Sequence, residues 1–168
     1  MKEIYKKLYV GSLIDYENCQ HDTDFFFVQA CKEPCHRMAL GYLGRSVDEN
    51  HPEYLIAFRE RKIILNMIDP PTSKYFEITQ FEKSLLFIEE NLSNGKKVLI
   101  HCNQGISRSP SIGLLYLATK SLIRNENFMV AKEDFKKIYP EYNPSGIKDF
   151  LILNWDDFFN KNNFKQNL

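Results

Sequence analysis

The run His101-Cys102-Asn103-Gln104-Gly105-Ile106-Ser107-Arg108-Ser109 sets a cysteine six positions ahead of an arginine. Lys97-Val98-Leu99-Ile100 precedes it as a short aliphatic, β-branched run that reads as a buried strand entered from the Asn94-Gly95 turn. Behind it, Ser109-Pro110-Ser111 followed by Ile112, Leu114, Leu115, Leu117 and Ala118 predicts a helix starting near Ser109 or Pro110 and running over 110–123, since proline is tolerated in a first helical turn. Cys102 to Arg108 then spans a strand end and a helix start. Unpaired amides and the helix dipole at such a start favour a bound anion. Gly105 lets the backbone curl, Asn103, Gln104, Ile106 and Ser107 complete the anion cup, and Arg108 adds a planar two-pronged donor for phosphate oxygens. The same field favours the thiolate of Cys102, a good nucleophile. Ser109 is placed to donate to the sulfur and help it leave. His101 faces the other side of an emerging strand, which makes it an orienting group and not a base.

At these residues the chain resembles the cysteine-dependent protein tyrosine phosphatases, whose signature is His-Cys, five residues, Arg, then Ser or Thr; His101–Pro110 is most similar to the dual-specificity branch. The resemblance implies a five-stranded mixed sheet flanked by helices, two steps through phosphocysteine, no metal and no cofactor. It also implies an aspartate about thirty residues upstream that protonates the leaving oxygen. Asp69 lies 33 residues before Cys102, at the end of the strand-like run Ile63–Ile68 and ahead of Pro70-Pro71, which keep it out of helical geometry. Asp48 is the reserve candidate, and Asp22 and Asp24 lie too far toward the N-terminus.

The elements that must position these groups follow from periodicity. Lys7–Ser12 and Phe25–Ala30 read as strands, Pro52–Phe58 as a helix opened by proline, and Ile63–Ile68 as a strand ending at Asp69. Ile78, Phe81, Leu85, Leu86, Ile88 and Leu92 recur at helical spacing, giving an amphipathic helix over 77–93. Val130, Ala131, Phe135 and Ile138 mark one further helix, and Ile147 to Phe158 a last one. The Tyr142–Gly146 turn between them reads as structural; the resemblance puts such an Asn-Pro turn near the phosphate loop. Segment 31–51 is interrupted by Pro34, Gly41 and Gly44 and fits either a loop or a short helix. Its basic residues Lys32, His36, Arg37 and Arg45 form a solvated surface or, if folded over the site, select substrates. The fold expected is α/β, one domain over 1–160 with a central mixed, mostly parallel sheet of four to five strands flanked by helices, and a polar tail over 161–168 that frays.

The chain has 168 residues, 43% of them hydrophobic, with 22 basic and 22 acidic side chains. That suits one soluble, cytoplasmic, monomeric domain with no charge excess for nucleic acid or a membrane surface. No apolar run reaches a membrane span, and the lysine-rich start lacks a signal core. Among four cysteines, Cys31, Cys35 and His36 offer three metal ligands without a second pair, and Cys19 is isolated, so reduced thiols and no metal are expected. A sharper expectation is a reversible disulfide between oxidised Cys102 and Cys19, Cys31 or Cys35.

The chemistry expected is therefore phosphomonoester hydrolysis of the dual-specificity protein phosphatase type. The chain lacks the Lys-Asn-Arg-Tyr stretch that deepens the pocket of tyrosine-specific relatives, which leaves phosphoserine and phosphothreonine open beside phosphotyrosine. The loop interior carries no lysine, against highly charged inositol lipids. Sugar phosphates, nucleotides or RNA 5′ ends remain as non-protein alternatives, and a phosphate-binding pseudophosphatase is the reading from another class.

Overall fold

The computed structural model describes residues 1–159. Six strands form one mixed sheet in the order β1-β2-β6-β3-β5-β4: β1 Lys2–Tyr5, β2 Leu8–Ser12, β3 Phe25–Gln29, β4 Ile56–Arg59, β5 Lys62–Leu65 and β6 Lys97–Cys102. The four inner strands run parallel, while β1 and β4 add antiparallel edges. The sheet is thus larger than the four to five strands expected, though mixed and mostly parallel as read. The extra edge strand β1 carries too short an apolar signal to mark it in the sequence: of Lys-Glu-Ile-Tyr, Ile4 alone is buried.

The helices are α1 Leu13–Cys19, α2 Arg37–Leu40, α3 Ile78–Ser93, α4 Arg108–Thr119, α5 Phe128–Ile138 and α6 Ile147–Leu153. Alternation along β6 sorts the two faces. Val98, Ile100 and Cys102 join the main core with side chains from α3, α4, α5 and α6, whereas Leu99 packs with Tyr16 of α1 on the opposite face. In that main core Phe81 stacks on Phe150 at 5.1 Å and meets Phe158 edge-on at 5.9 Å. A capping box opens α1, with Ser12 and Asp15 bonding reciprocally, and Asn127 caps α5 by accepting from the Val130 amide.

Pro52–Phe58 is not a helix. Residues 51–55 form turns, and Ile56–Arg59 is the edge strand β4, whose Ala57 and Phe58 pair with Ile64 and Ile63. A short unbroken apolar run fits strand or helix equally, and the charged turn Glu60-Arg61 lacks the glycine or asparagine that marks a hairpin. The strand before Asp69 stops at Leu65, so Asn66–Asp69 is loop. α4 ends at Thr119, three residues after which Leu122 already lies outside it, because Ser121 takes a left-handed φ of 54°. The last helical run breaks at Asn154 into a separate turn, Asp156–Phe158. Segment 31–51 resolves into a helical turn over Lys32–His36 followed by α2. The polar tail lies outside the described residues. No helix among them is long and apolar enough to cross a membrane.

Phe81 is fully buried at the junction of α3 with α6. Phe81→Ala is expected to lower unfolding free energy by about 3–5 kcal/mol, read from the midpoint of urea denaturation at unchanged slope.

Candidate active site

The strand–loop–helix unit of β6, residues 103–107 and α4 forms a tight curl at the C-terminal edge of the sheet. Its carbonyls are held outward by four different partners. The Leu13 amide donates to the Asn103 carbonyl (3.2 Å), the Tyr139 hydroxyl to Gly105 (2.9 Å), the Asn143 amide to Ile106 (2.8 Å) and the Ser111 amide to Ser107 (3.1 Å). Burial pushes the Tyr139 hydroxyl up to about 12, so it keeps the proton it donates. With the carbonyls committed outside, the amides of Gln104, Ile106 and Ser107 donate to no protein acceptor among the described residues, and form a concavity for an anion. Gly105 turns the curl at φ 78°, and a Cβ there would stand 2.9 Å from the Gly11 carbonyl carbon, so both conformation and space demand glycine.

Cys102 is almost fully buried at the floor of the cup. Its Sγ accepts from the Gly105 amide and the Ser109 hydroxyl, each at 3.3 Å. Ser109 Oγ also lies 3.0 Å from the Gly11 carbonyl, so its single proton can move to the sulfur as charge develops there. Arg108 is buried, and three of its five N–H groups are committed. Nη1 donates to the Ala30 and Met67 carbonyls at 3.0 and 2.9 Å, and Nη2 to Asn103 Oδ1 at 2.7 Å. Nε has no hydrogen-bond partner among the described residues. Nε–H, which faces only the Asp69 carboxyl at ion-pair distance, and the remaining Nη2 proton are thus left for two oxygens of a phosphate.

Asp69 reaches the same place from the loop after β5. Its Oδ1 accepts from Ser107 Oγ (2.9 Å), its Oδ2 lies 3.7 Å from Arg108 Nε, and the side chain is 28% exposed. Asp48 instead accepts from Asn50 within an exposed turn, and Asp22 and Asp24 sit before β3, at the far end of the strands. His101 projects to the α1 face and stacks on Tyr16 at 4.6 Å. Burial pushes it down to about 3, which keeps the ring neutral, as an orienting or packing group and not a base.

Several contributors carried no sequence signal. The Ala30 and Met67 carbonyls act through the backbone, and Tyr139 has no motif around it. The Asn143–Gly146 turn does more than pack: the Ser145 amide donates to Ser107 Oγ (3.2 Å), while the Ser145 hydroxyl and Gly146 amide donate to the Pro70 carbonyl (3.2 and 3.1 Å). It therefore clamps the Asp69 loop onto the phosphate cup.

The cysteines depart from expectation. Cys31 and Cys35 are joined as a disulfide, leaving Cys19 and Cys102 free. They sit in a cluster with Ala57 and Ile64, while Cys102 belongs to the main core across the sheet, which opposes a cross-link between them and Cys102. His36, read as a companion ligand, is engaged elsewhere: its Nε2–H donates to the Glu53 carbonyl at 2.9 Å, and Nδ1 lies 3.5 Å from the Tyr42 hydroxyl. The basic segment is folded and not simply solvated. Arg37 forms a two-pronged pair with Glu33 (both 2.7 Å), and the Glu33 carbonyl accepts from Asn103 Nδ2 at 2.7 Å.

A family model described as dual specificity phosphatase, catalytic domain, matches residues 8–145. Dual specificity protein phosphatase 2 of Mus musculus is 31% identical over 147 residues, covering 86% of this chain and 40% of that protein. Its Homo sapiens counterpart is 30% identical over 147 residues, covering 86% and 41%. The chain thus spans about two fifths of the length of these relatives. Among solved structures, the crystal structure of DUSP15 superposes with a TM-score of 0.69 over 100% of this chain and 96% of that one; at 18% identity this speaks for the fold.

A Cβ on Gly146 would stand 2.6 Å from the Pro70 carbonyl oxygen and closer still to the Thr72 amide nitrogen. Both are backbone atoms, so Gly146→Ala must displace the Asp69 loop. Turnover of an aryl phosphate is expected to fall by up to about a hundredfold, while the affinity for inorganic phosphate as inhibitor, set by the 102–108 curl, stays within about threefold. Steady-state kinetics with phosphate as a competitive inhibitor check both halves.

Proposed function

This chain belongs to the dual specificity phosphatase catalytic-domain family, and on that premise we propose that it hydrolyses phosphomonoesters on proteins, phosphotyrosine with phosphoserine and phosphothreonine, through a phosphocysteine. One observation carries the reading. One curl brings together the unbonded Nε–H of Arg108, the uncommitted amides of Gln104, Ile106 and Ser107, the Cys102 sulfur, and Asp69, whose Oδ2 lies 3.7 Å from that Nε.

The steps follow from that arrangement. The substrate dianion settles in the cup with its phosphorus above Cys102, and the thiolate attacks in line. Arg108 and the amides hold the three equatorial oxygens, whose charge they match most closely in the transition state. Asp69 protonates the departing oxygen, so an alcohol or phenol leaves and phosphocysteine remains. Asp69, now a carboxylate, takes a proton from the water that attacks phosphorus. As the S–P bond breaks, the Ser109 proton shifts from the Gly11 carbonyl to the sulfur and eases its departure. Ser107 fixes the Asp69 carboxyl by its hydroxyl, and His101 holds the strand from behind. No step calls on a metal or cofactor. The matched relatives are named protein phosphatases, which favours a phosphoprotein over the sugar phosphate, nucleotide or RNA alternatives.

Hydrolysis of p-nitrophenyl phosphate is the direct test. Turnover that resists a chelator, yields to vanadate, and falls more than about a thousandfold in a folded Cys102→Ser variant supports the mechanism. Retained turnover in that variant rejects the nucleophile, and saturable phosphopeptide binding with no wild-type hydrolysis points to a binding module instead. Asp69→Asn is expected to slow a poor aryl leaving group by about 10²–10³ and a good one distinctly less. Equal slowing of the two moves the acid role to another residue.

A further inference from the structure

On the α1 face of the sheet, away from the phosphate cup, three ligand-type side chains converge. The sulfurs of Cys31 and Cys35 and a ring nitrogen of His101 all lie within 4.8 Å of one another. Cys31 and His101 are fully buried and Cys35 nearly so. No hydrogen bond of good geometry reaches either nitrogen of His101 among the described residues, and the polar group that approaches the ring is the Cys102 backbone, which can engage one nitrogen and leaves the other without a partner. An unsatisfied buried polar group costs about 1–3 kcal/mol and calls for a reason. Tyr16 covers the flat of the ring at 4.6 Å, so the nitrogens stand at its free edge, beside the sulfurs.

We propose that, with Cys31 and Cys35 in the dithiol form, their sulfurs and His101 bind one thiophilic d10 cation of the Zn²⁺ type. Two thiolates and an imidazole suit that class and not Mg²⁺, Ca²⁺ or Mn²⁺. On binding, each thiol gives its proton to solvent, two metal–sulfur bonds and one metal–nitrogen bond form, and no electron moves. The disulfide is the competing state of the same two sulfurs. Reduction converts it to the ligand pair: two equivalents of a thiol give two electrons and two protons and leave as their own disulfide, or a phosphine gives two electrons, water gives the two protons, and the phosphine oxide leaves. With metal–ligand bonds of about 2.0–2.3 Å, tetrahedral donors sit roughly 3.5–3.8 Å apart, so the two sulfurs, bonded in the disulfide, move apart on reduction while the ring nitrogen, within 4.8 Å of both, needs only a small adjustment. Cys35 borders a cavity of about 500 Å³, lined by Leu13, Tyr16, Pro34, Met38 and Lys62, which provides the entry path and room for a water as fourth ligand.

The site also reaches the catalytic curl along the chain. Cys31 follows Ala30, whose carbonyl holds Arg108, and His101 precedes Cys102. A cation there would fasten the ends of β3 and β6 to each other from the face opposite the substrate.

The experiment uses the full chain carrying Cys102→Ser, which removes the catalytic thiolate as a competing ligand and makes the result independent of the phosphatase reading. After phosphine reduction and a thiol count, Co²⁺ is titrated and then displaced by Zn²⁺. One equivalent, a thiolate-to-cobalt charge-transfer band, and its absence from the disulfide form are expected. Adding Cys35→Ser or His101→Ala should weaken binding at least tenfold. A reduced, folded protein without the band overturns the proposal, as does a band whose cobalt affinity Cys35→Ser leaves unchanged. Where Cys35→Ser does not fold, zinc X-ray absorption of the parent decides: two sulfurs and an imidazole support the site, and any other donor set overturns it.

Discussion

The guanidinium of Arg108 is the hub on which the active-site end of the molecule depends. Through Nη1 it joins the carbonyls that follow β3 and β5, and through Nη2 it grips Asn103 of its own loop. The Met67 carbonyl also accepts from the Lys32 amide, whereas the buried cation would lack acceptors without these groups, which offset its desolvation cost. The geometry also dictates which N–H groups remain for substrate. Because one edge of the planar group is committed to the scaffold, the opposite edge is presented in a fixed orientation, and little reorganisation accompanies binding. A lysine in this position, a compact point charge, would offer no planar group that holds the scaffold on one edge and presents the other to substrate.

The two faces of β6 separate two kinds of chemistry by the width of one strand. Ile100 and Cys102 point to the helical layer, where α4 starts and the anion cup forms. His101 points to α1 and the Cys31–Cys35 loop. Adjacent residues thus occupy environments that share a backbone but no solvent. The alternation that decides this is the elementary property of a strand, and it explains why a histidine beside the nucleophile takes no proton from it.

How much of this was legible beforehand depends on whether the signal was local. Cys102, Gly105, Arg108 and Ser109 announced themselves because their roles need particular residue types at close spacing, and Asp69 because two prolines follow it. Helix α3 was equally plain, its apolar residues holding the helical period over four turns. Where the apolar run was short, as in Pro52–Phe58, period alone could not separate strand from helix, and pairing with β5 decided it. The supports of the cup were not legible at all. Backbone groups of Gly11, Leu13, Ala30 and Met67 look alike in any sequence, and Tyr139 is an aromatic in a helix end until the fold brings its hydroxyl to Gly105. The pairing of Cys31 with Cys35 is closed by one local turn, whereas the approach of His101 to them depends on β3 and β6 lying side by side.

The supports of the catalytic loop come from residue 11, from residues 30 and 67, and from residues 139–146. Contacts so distant in the chain need segments from all along it to be in place together. During synthesis Cys102 leaves the ribosome well before Tyr139 and Gly146, with its loop carbonyls not yet turned outward. The nucleophile therefore gains its environment only when the C-terminal third docks. An incomplete chain carries the cysteine without the cup, and phosphate recognition becomes in effect a readout of completed folding.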